Sequence, residues 1–327
     1  MTQTIATLSL SARATINMHS LNNEGGEGNQ IQTRMVDIVG ADGRMHNVNA
    51  ISGDMLKHIQ SQHFFELASE QGMPLCAGCR EFNANRINAD KEWLESAPKR
   101  DRDALASLLH TCALDDTAGI LITAGKRSLP RKSVVEFGWV VGIPQSVTSD
   151  NYFHVKYASE RNAERVTSDA TERQKDGSNL GQSIFHRPAS SGIYALVCHL
   201  ELARIGYNDI SQTYDIDDAQ RLIRARAVIN SVLYTFIELN GAMRTTQLPH
   251  LVGIEGVITT SSTGAMPAPL ISPLNDTYQS EAQAVTLSLD AGRNRLQSTL
   301  FTSVSTLTQT LSTLAQDLVP ARLATAQ

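Results

Sequence analysis

The sequence predicts an α+β fold: a sheet-and-helix domain interrupted by large insertions. Three observations predict it. Residues 7–18, TLSLSARATINM, alternate apolar and polar with period two, as a strand with one face on a core does. Two stretches, 53–68 and 217–239, carry apolar residues at helical spacing. The regular elements run strand, helix, strand, long excursion, strand, helix, strand, which is compatible with a βαββαβ unit carrying insertions.

In the first strand Leu8, Leu10, Ala12, Ala14, Ile16 and Met18 point one way, and Thr7, Ser9, Ser11, Arg13, Thr15 and Asn17 the other. The polar face is expected to be open and leads into a glycine- and amide-rich loop, HSLNNEGGEGNQIQTR, residues 19–34. Two short strands follow around the turn at 40–43, ending near Ile51. Ser52 is a plausible N-cap for a helix with a buried stripe of Leu56, Ile59, His63 and Leu67, leaving Lys57 and His58 off it. Residues 72–103 are polar and open on a Cys pair, reading as an inserted subdomain. A helix over 101–110 leads to Asp115-Asp116, which could bind a metal but reads as a strand-entry turn, then a buried strand at 119–123 and an apolar strand at 134–143. Apolar content falls over 144–188, where Tyr152, Phe153, Val155 and Tyr157 look like one strand of a hairpin. Residues 193–202 return to an apolar strand. The helix 217–239 is expected to stop at Asn240-Gly241. A polar loop, a strand from His250 and a strand over 284–289 come next. Leucines from Leu296 to Leu318 suggest one C-terminal helix, ended by Pro320.

Formal net charge is −5, with 41% hydrophobic and 19% charged residues. That excludes a strongly basic nucleic-acid binder, so contacts to phosphate must come from local cations or backbone amides. No unbroken apolar leader and no run of eighteen apolar residues is present, and four cysteines suggest thiols or metal ligands rather than disulfides. The expectation is a cytoplasmic protein with no membrane partner.

The glycine loop is neither a Walker A motif nor GxGxxG. Its glycines permit close backbone approach to a phosphate, while Asn22, Asn23, Asn29 and Gln30 can donate and accept. A plain flexible hairpin is the alternative. Cys76-Ala-Gly-Cys79 is a CxxC that could form a zinc half-site, completed by His110 and Cys112. The second half is H-x-C, so four unrelated residues is an equal alternative. Cys198 reads as core. No GxSxG or HExxH occurs. Arg244 and Thr245 sit in a polar loop that could meet phosphate or merely connect helix to strand.

Taken together, "LSLSARATIN", "HSLNNEGGEGN", "VNAISGDMLKHI", "CALDDTAGILI", "SSGIYALVCHLELARIG" and "NGAMRTTQLPHL" resemble the CRISPR-associated DevR-type proteins, the Cas-seven backbone subunits of type I Cascade complexes. The resemblance implies an RRM-like (ferredoxin-like) palm of residues 1–71, 104–143 and 189–327, an inserted subdomain at 72–103 and a β-hairpin thumb at 144–188. It implies assembly of copies into a filament along a crRNA, beside other Cascade subunits, with target DNA pairing to the guide in antiviral defence. RNA contacts are then expected from Arg13, Asn17, Asn22, Asn23, Gly25, Gly28, Asn29, Arg34, Lys57, His58, Arg244 and Thr245, and a structural zinc from the insert. No catalytic residue is expected. A guide-dependent ribonuclease and a regulatory or structural protein without RNA are the competing readings.

Overall fold

A computed structural model describes residues 2–27, 30–124, 127–157 and 182–323. Gly28 and Asn29 lie outside the described residues. The short strand β1 (Gln3–Ile5) precedes β2 (Thr7–His19), the alternating strand of the sequence. The glycine-rich stretch forms a hairpin of β3 (Asn23–Glu27) and β4 (Gln30–Thr33), followed by a second hairpin of β5 (Met35–Val39) and β6 (Met45–Ile51). Ser52 caps α1 (Gly53–Glu70), its hydroxyl oxygen accepting from the Met55 amide. Short helices α2 (Ala77–Arg80) and α3 (Lys91–Ser96) fill the insert. Next come α4 (Asp101–Thr111), α5 (Ala113–Ala118), β7 (Ile120–Ile122), β8 (Leu129–Arg131) and β9 (Val135–Phe137).

Two long strands, β10 (Val140–Tyr157) and β11 (Gln182–Leu200), pair antiparallel as a ribbon that runs beyond the sheet. After β12 (Tyr207–Asn208) and β13 (Thr213–Tyr214) come α6 (Asp218–Ile237) and β14 (His250–Ser261). The described chain ends with α7 (Tyr278–Asp290), β15 (Leu296–Phe301), α8 (Val304–Asp317) and β16 (Leu318–Pro320), which pairs in parallel with β1.

The main sheet has the order β15-β14-β2-β11-β10-β6-β5, every neighbouring pair antiparallel. Leu8, Leu10, Ala12, Ala14 and Ile16 of β2 join one core with Leu56 and Ile59 of α1 and Val228, Ile229 and Val232 of α6. Each large side chain buried there contributes about 2 kcal/mol of transfer free energy. Leu75, Ile87 and Trp93 of the 72–103 segment enter that same core. Among the described residues no helix is long and apolar enough to cross a membrane.

The polar face of β2 is not open. Ser9 and Ser11 are 1% and 2% exposed. The chain after β14 crosses over them: the Ser9 hydroxyl donates to the Ala268 carbonyl and the Thr259 hydroxyl to that of Pro269. Helix α7 then lays Tyr278 and Ala282 on Val257. The strand expected at 284–289 is therefore helix. Its alternating Val-Thr-Leu-Ser-Leu reads locally as β, but Tyr278, Ala282 and Thr286, four apart, are what the sheet buries.

The single C-terminal helix is also corrected. Leu296 and Leu300 stand in β15, with Leu300 43% exposed, and only Leu307, Leu311 and Ala315 form a buried helical stripe. Ser303 and Thr306 close a reciprocal capping box that starts α8. Asp115-Asp116 lies inside α5 rather than in a turn. Asp116 is fully buried between Arg131 (2.7 Å) and Arg224 (2.8 Å). Helix α6 ends at Ile237, ahead of Asn240-Gly241. Gly241 answers to packing instead: a Cβ there would lie 2.4 Å from Leu21 Cδ2.

Candidate functional site

The end of β2, the loop before β14 and the base of the β10/β11 ribbon converge on a cleft of about 550 Å³. Its walls are Met18, Tyr152, Phe153, His154, residues 245–248 and His250. Met18 has left-handed backbone (φ 54°), and its amide donates to the Ser191 hydroxyl at 2.9 Å. Phe153 sits opposite His186 in the ribbon, their rings edge to face at 5.8 Å. Two contacts tie loop to ribbon: Arg187 donates to the Thr246 hydroxyl, and the Gln247 side-chain amide to the Pro188 carbonyl. Large apolar groups stay in solvent here, with Phe153 60% and Leu248 61% exposed. Exposed rings beside hydroxyl and amide donors suit a splayed nucleotide, which stacks its base and accepts through its phosphate.

Of the residues that sequence reasoning expected to contact RNA, Thr245 lines this cleft, and Asn17 pairs across β2 and β14 with His250, one of its walls. Arg244, one residue away, forms an exposed ion pair with Glu238 at 3.1 Å. What that reasoning missed as site residues were Tyr152, Phe153, Thr246 and Gln247. Adjacent aromatics in an otherwise polar excursion were the available signal.

The remaining expected contacts scatter. Arg13 does not face an open surface. Its guanidinium donates to the Pro273 carbonyl (2.9 and 2.7 Å) and pairs with Asp276 at 2.7 Å, because the crossing segment and α7 cover that face. Asn22 is buried and its carboxamide oxygen accepts from the Ser52 amide at 3.0 Å, joining the glycine hairpin to α1. Gly25 has φ +119°, a conformation that favours glycine. Asn23 lies on β3. Arg34 lies over the half-exposed Trp139 ring at 5.3 Å. Lys57 and His58 line a different cleft, between α1 and the 72–103 segment.

Just ahead of the hairpin, His19 is buried against Tyr194, rings edge to face at 5.0 Å. Neither ring nitrogen has a partner among the described residues, and burial pushes its pKa down to about 4. Tyr194 donates to the Asn49 carboxamide oxygen, and Asn49 in turn donates to Thr33 and to the Arg34 carbonyl. The base of the glycine hairpin is thus anchored by side chains, not left loose.

Cys76, Cys79, Cys112 and Asp115 bring their ligand atoms within 4.8 Å of one another, all buried. His110 is not among them; it is exposed on the last turn of α4, and Asp115 stands in its place. The reason is local. Cys76 caps α2 and its sulfur accepts from the Cys79 amide; Cys112 caps α5 and its sulfur accepts from the Asp115 amide. Two helix N-termini therefore present a C-x-x-C and a C-x-x-D with the same geometry, a spacing visible in the sequence but passed over for His110. Burial, then Cys112, raises the Asp115 carboxyl well above its ordinary range, and burial raises the Cys112 thiol. Hydrogen bonding with Cys112 raises Cys79, whereas thiol hydrogen bonds from Cys112 and Cys79 lower Cys76 to about 5.

The donor set fits a metal. Asp115 Oδ1 is buried with no hydrogen-bond partner among the described residues, while Oδ2 lies 3.4 Å from Cys76 Sγ and 3.5 Å from Cys79 Sγ. A tetrahedral zinc with ordinary bonds to sulfur and oxygen needs S···O edges of about 3.5 Å. Cys198, as expected, is buried in the sheet core.

A family model described as CRISPR-associated negative auto-regulator DevR/Csa2 matches residues 10–283, and the chain belongs to that family. A curated relative, CRISPR-associated protein Cas7/Csa2 1 of Saccharolobus solfataricus, is 22% identical over 264 residues, covering 78% of this chain and 79% of the relative. Among solved structures, a chain of a CRISPR RNA-guided surveillance complex in a pre-nicking state matches with TM-score 0.45 and 12% identity over 78% of each chain. Another CRISPR RNA-guided surveillance complex chain gives 0.45 and 10%, covering 94% of this chain and 99% of that one. Csc2 of Thermofilum pendens gives 0.36 and 13%, covering 93% and 81%.

Proposed function

We propose that this chain is a non-catalytic scaffold for a CRISPR guide RNA, several copies of which line up along a crRNA beside other Cascade subunits and hold it open for pairing with target DNA. The observation that carries the reading is the ribbon-base cleft of Tyr152, Phe153 and the 245–248 loop in a chain of the DevR/Csa2 family. Rings at this place grip nucleotides without reading sequence, which base pairing to the target supplies.

The sheet supports an RRM-like palm. The order β14-β2-β11-β10, with α1 and α6 supplying the helices of a βαββαβ unit, is that of a ferredoxin-like sheet. The β10/β11 ribbon is then the thumb. Asn17, Thr245, Arg244 and the backbone of the glycine hairpin are the further contacts; Arg13 is a structural lock and leaves the set. The cysteine–aspartate cluster holds a structural zinc that fixes α2 to α5. When bound, the ion supplies charge that lets thiolates and a carboxylate share one buried site.

The test is direct binding. Purified protein should bind a single-stranded RNA irrespective of sequence, and Tyr152→Ala with Phe153→Ala should weaken it about tenfold or more while leaving the melting temperature in place. Unchanged RNA affinity in the double variant would remove the ribbon base from the interface.

A further inference from the structure

The corner between α2 and α5 carries a charge that its ligand set does not balance. A divalent zinc held by Cys76, Cys79, Cys112 and Asp115, as three thiolates and a carboxylate, keeps two net negative charges, and all four residues are buried. Buried charge is costly unless something opposite lies beside it. Two backbone amides help: that of Cys79 donates to Cys76 Sγ and that of Asp115 to Cys112 Sγ. Asp90 works against them. Its carboxylate accepts from the Ala77 amide at 2.7 Å and adds negative charge beside the CxxC turn.

A cation stands at the same corner. Arg86 is half-buried and forms no ion pair among the described residues. Its guanidinium donates to the Gly119 carbonyl at 2.7 Å. Gly119 caps α5 one turn beyond Asp115, whose carbonyl accepts from the Gly119 amide at 3.1 Å. The guanidinium therefore sits on the Asp115 side of that helix. Its charge is felt there: burial raises the Asp115 carboxyl, and Arg86 opposes the rise.

Neighbouring charges are engaged elsewhere. Asp54 shares the cleft between α1 and the insert with Arg86, and together with Glu136 it offsets the lowering that burial and then Arg86 impose on Lys57. Arg80, next to Cys79, is exposed and donates to the Leu75 carbonyl at 2.9 Å.

The loop delivers Arg86 to this place at a cost. Its φ is 50°, an unfavourable conformation for a long side chain. The Phe82 amide donates to the Cys79 carbonyl and the Asn83 amide to that of Gly78, which folds the chain back onto the CxxC turn. A Cβ on Gly78 would lie 2.1 Å from the Arg86 carbonyl oxygen. The backbone of Arg86 is thus pressed against one half of the ligand set while its side chain reaches the helix that carries the other.

We infer that Arg86 is the counter-ion of the metal centre, a positioning residue that acts through Asp115 and sets how tightly zinc is held. The inference rests on the zinc reading of the cysteine–aspartate cluster.

Zinc affinity of the full chain, stripped of metal under reducing conditions and titrated against a chromophoric chelator, tests it. Arg86→Gln keeps an N–H donor for Gly119 but no charge, and should weaken zinc about tenfold or more; Arg86→Lys keeps the charge and should stay within about threefold of the parent. Asp54→Asn should leave the affinity unchanged. In Arg86→Ala, millimolar guanidinium should restore zinc binding and equal urea should not, a contrast that a purely structural arginine does not produce. Should Arg86→Gln not fold, the lysine variant and the guanidinium arm decide. Zinc held equally by parent and Arg86→Gln, a lysine variant as weak as the glutamine one, or rescue by urea as well as by guanidinium overturns the inference and leaves the zinc site standing. A parent chain that binds no zinc removes both.

Discussion

His19 carries a pH dependence that follows from its surroundings alone. Its ring is buried with no acceptor for a second proton among the described residues, so the fold holds its pKa near 4 against an ordinary 6.5. Protons therefore bind the unfolded chain more readily. The contribution of the neutral ring is complete above pH 6.5 and is lost as pH falls toward 4, amounting to roughly 3 kcal/mol. His199 is shifted the same way by burial, and the lowered carboxylates Asp218 and Asp290 act below the ordinary range of an aspartate. Urea unfolding of His19→Phe between pH 7 and 4.5 should show a visibly flatter loss of stability than the parent. Identical slopes would mean the ring is solvated or paired in solution.

The same scale decides the metal ligands. Cys79→Ser and Asp115→Ala should each lower bound zinc well below one equivalent in metal analysis, while His110→Ala should leave it unchanged. Loss of zinc in the His110 variant with full retention in the Asp115 variant would restore the ligand set first read from the sequence.

At the scale of elements, helix α5 is pinned by charge. Asp116 accepts from Arg131 and Arg224, and those guanidiniums also donate to the carbonyls of Arg204, Tyr207 and Leu109. Asp116→Ala strands the buried Arg224 and leaves Arg131 only its pair with Asp209 at 3.2 Å, and should cost on the order of 3–5 kcal/mol in denaturant unfolding. A cost under about 1 kcal/mol would show that water reaches the pair. These elements also show what sequence could and could not tell. The strand at 7–18 and the helix stripe Leu56, Ile59, His63, Leu67 were legible because the residues each places on its apolar face, with few exceptions, are buried in the core. Helix α7 was not, since its buried face is set by a sheet surface that the segment 262–276 reaches from a distance, and its local pattern points to strand. The leucines at 296 and 300 matched a helical spacing by coincidence, and nothing local marked Ser303 as a cap. Arg13 was misjudged for a related reason: an alternating strand reveals that it has two faces, not that a later helix covers the second. Asp115 reads from sequence as one of an acidic pair and not as a companion of the cysteines, although C-x-x-D repeats the spacing of C-x-x-C, because carboxylates are common and histidine is the commoner companion of cysteine.

At the scale of the molecule, one antiparallel sheet positions the ribbon-base cleft. Its centre, β14-β2-β11-β10, is a rigid support, and the functional groups sit where strands overrun it: the end of β2, the start of β14 and the ribbon. A chain of net charge −5 has little long-range attraction for RNA, so its grip must be local and repeated copy by copy. RNA binding should accordingly weaken steeply with salt and strengthen with RNA length. The central claim, that copies of this chain line up along a guide, is tested most directly by mass photometry of the protein saturating single-stranded RNAs of increasing length. The account predicts that the number of bound copies rises linearly with length, with a constant number of nucleotides per copy. One copy per RNA at every length, or no bound RNA at low salt, would contradict it.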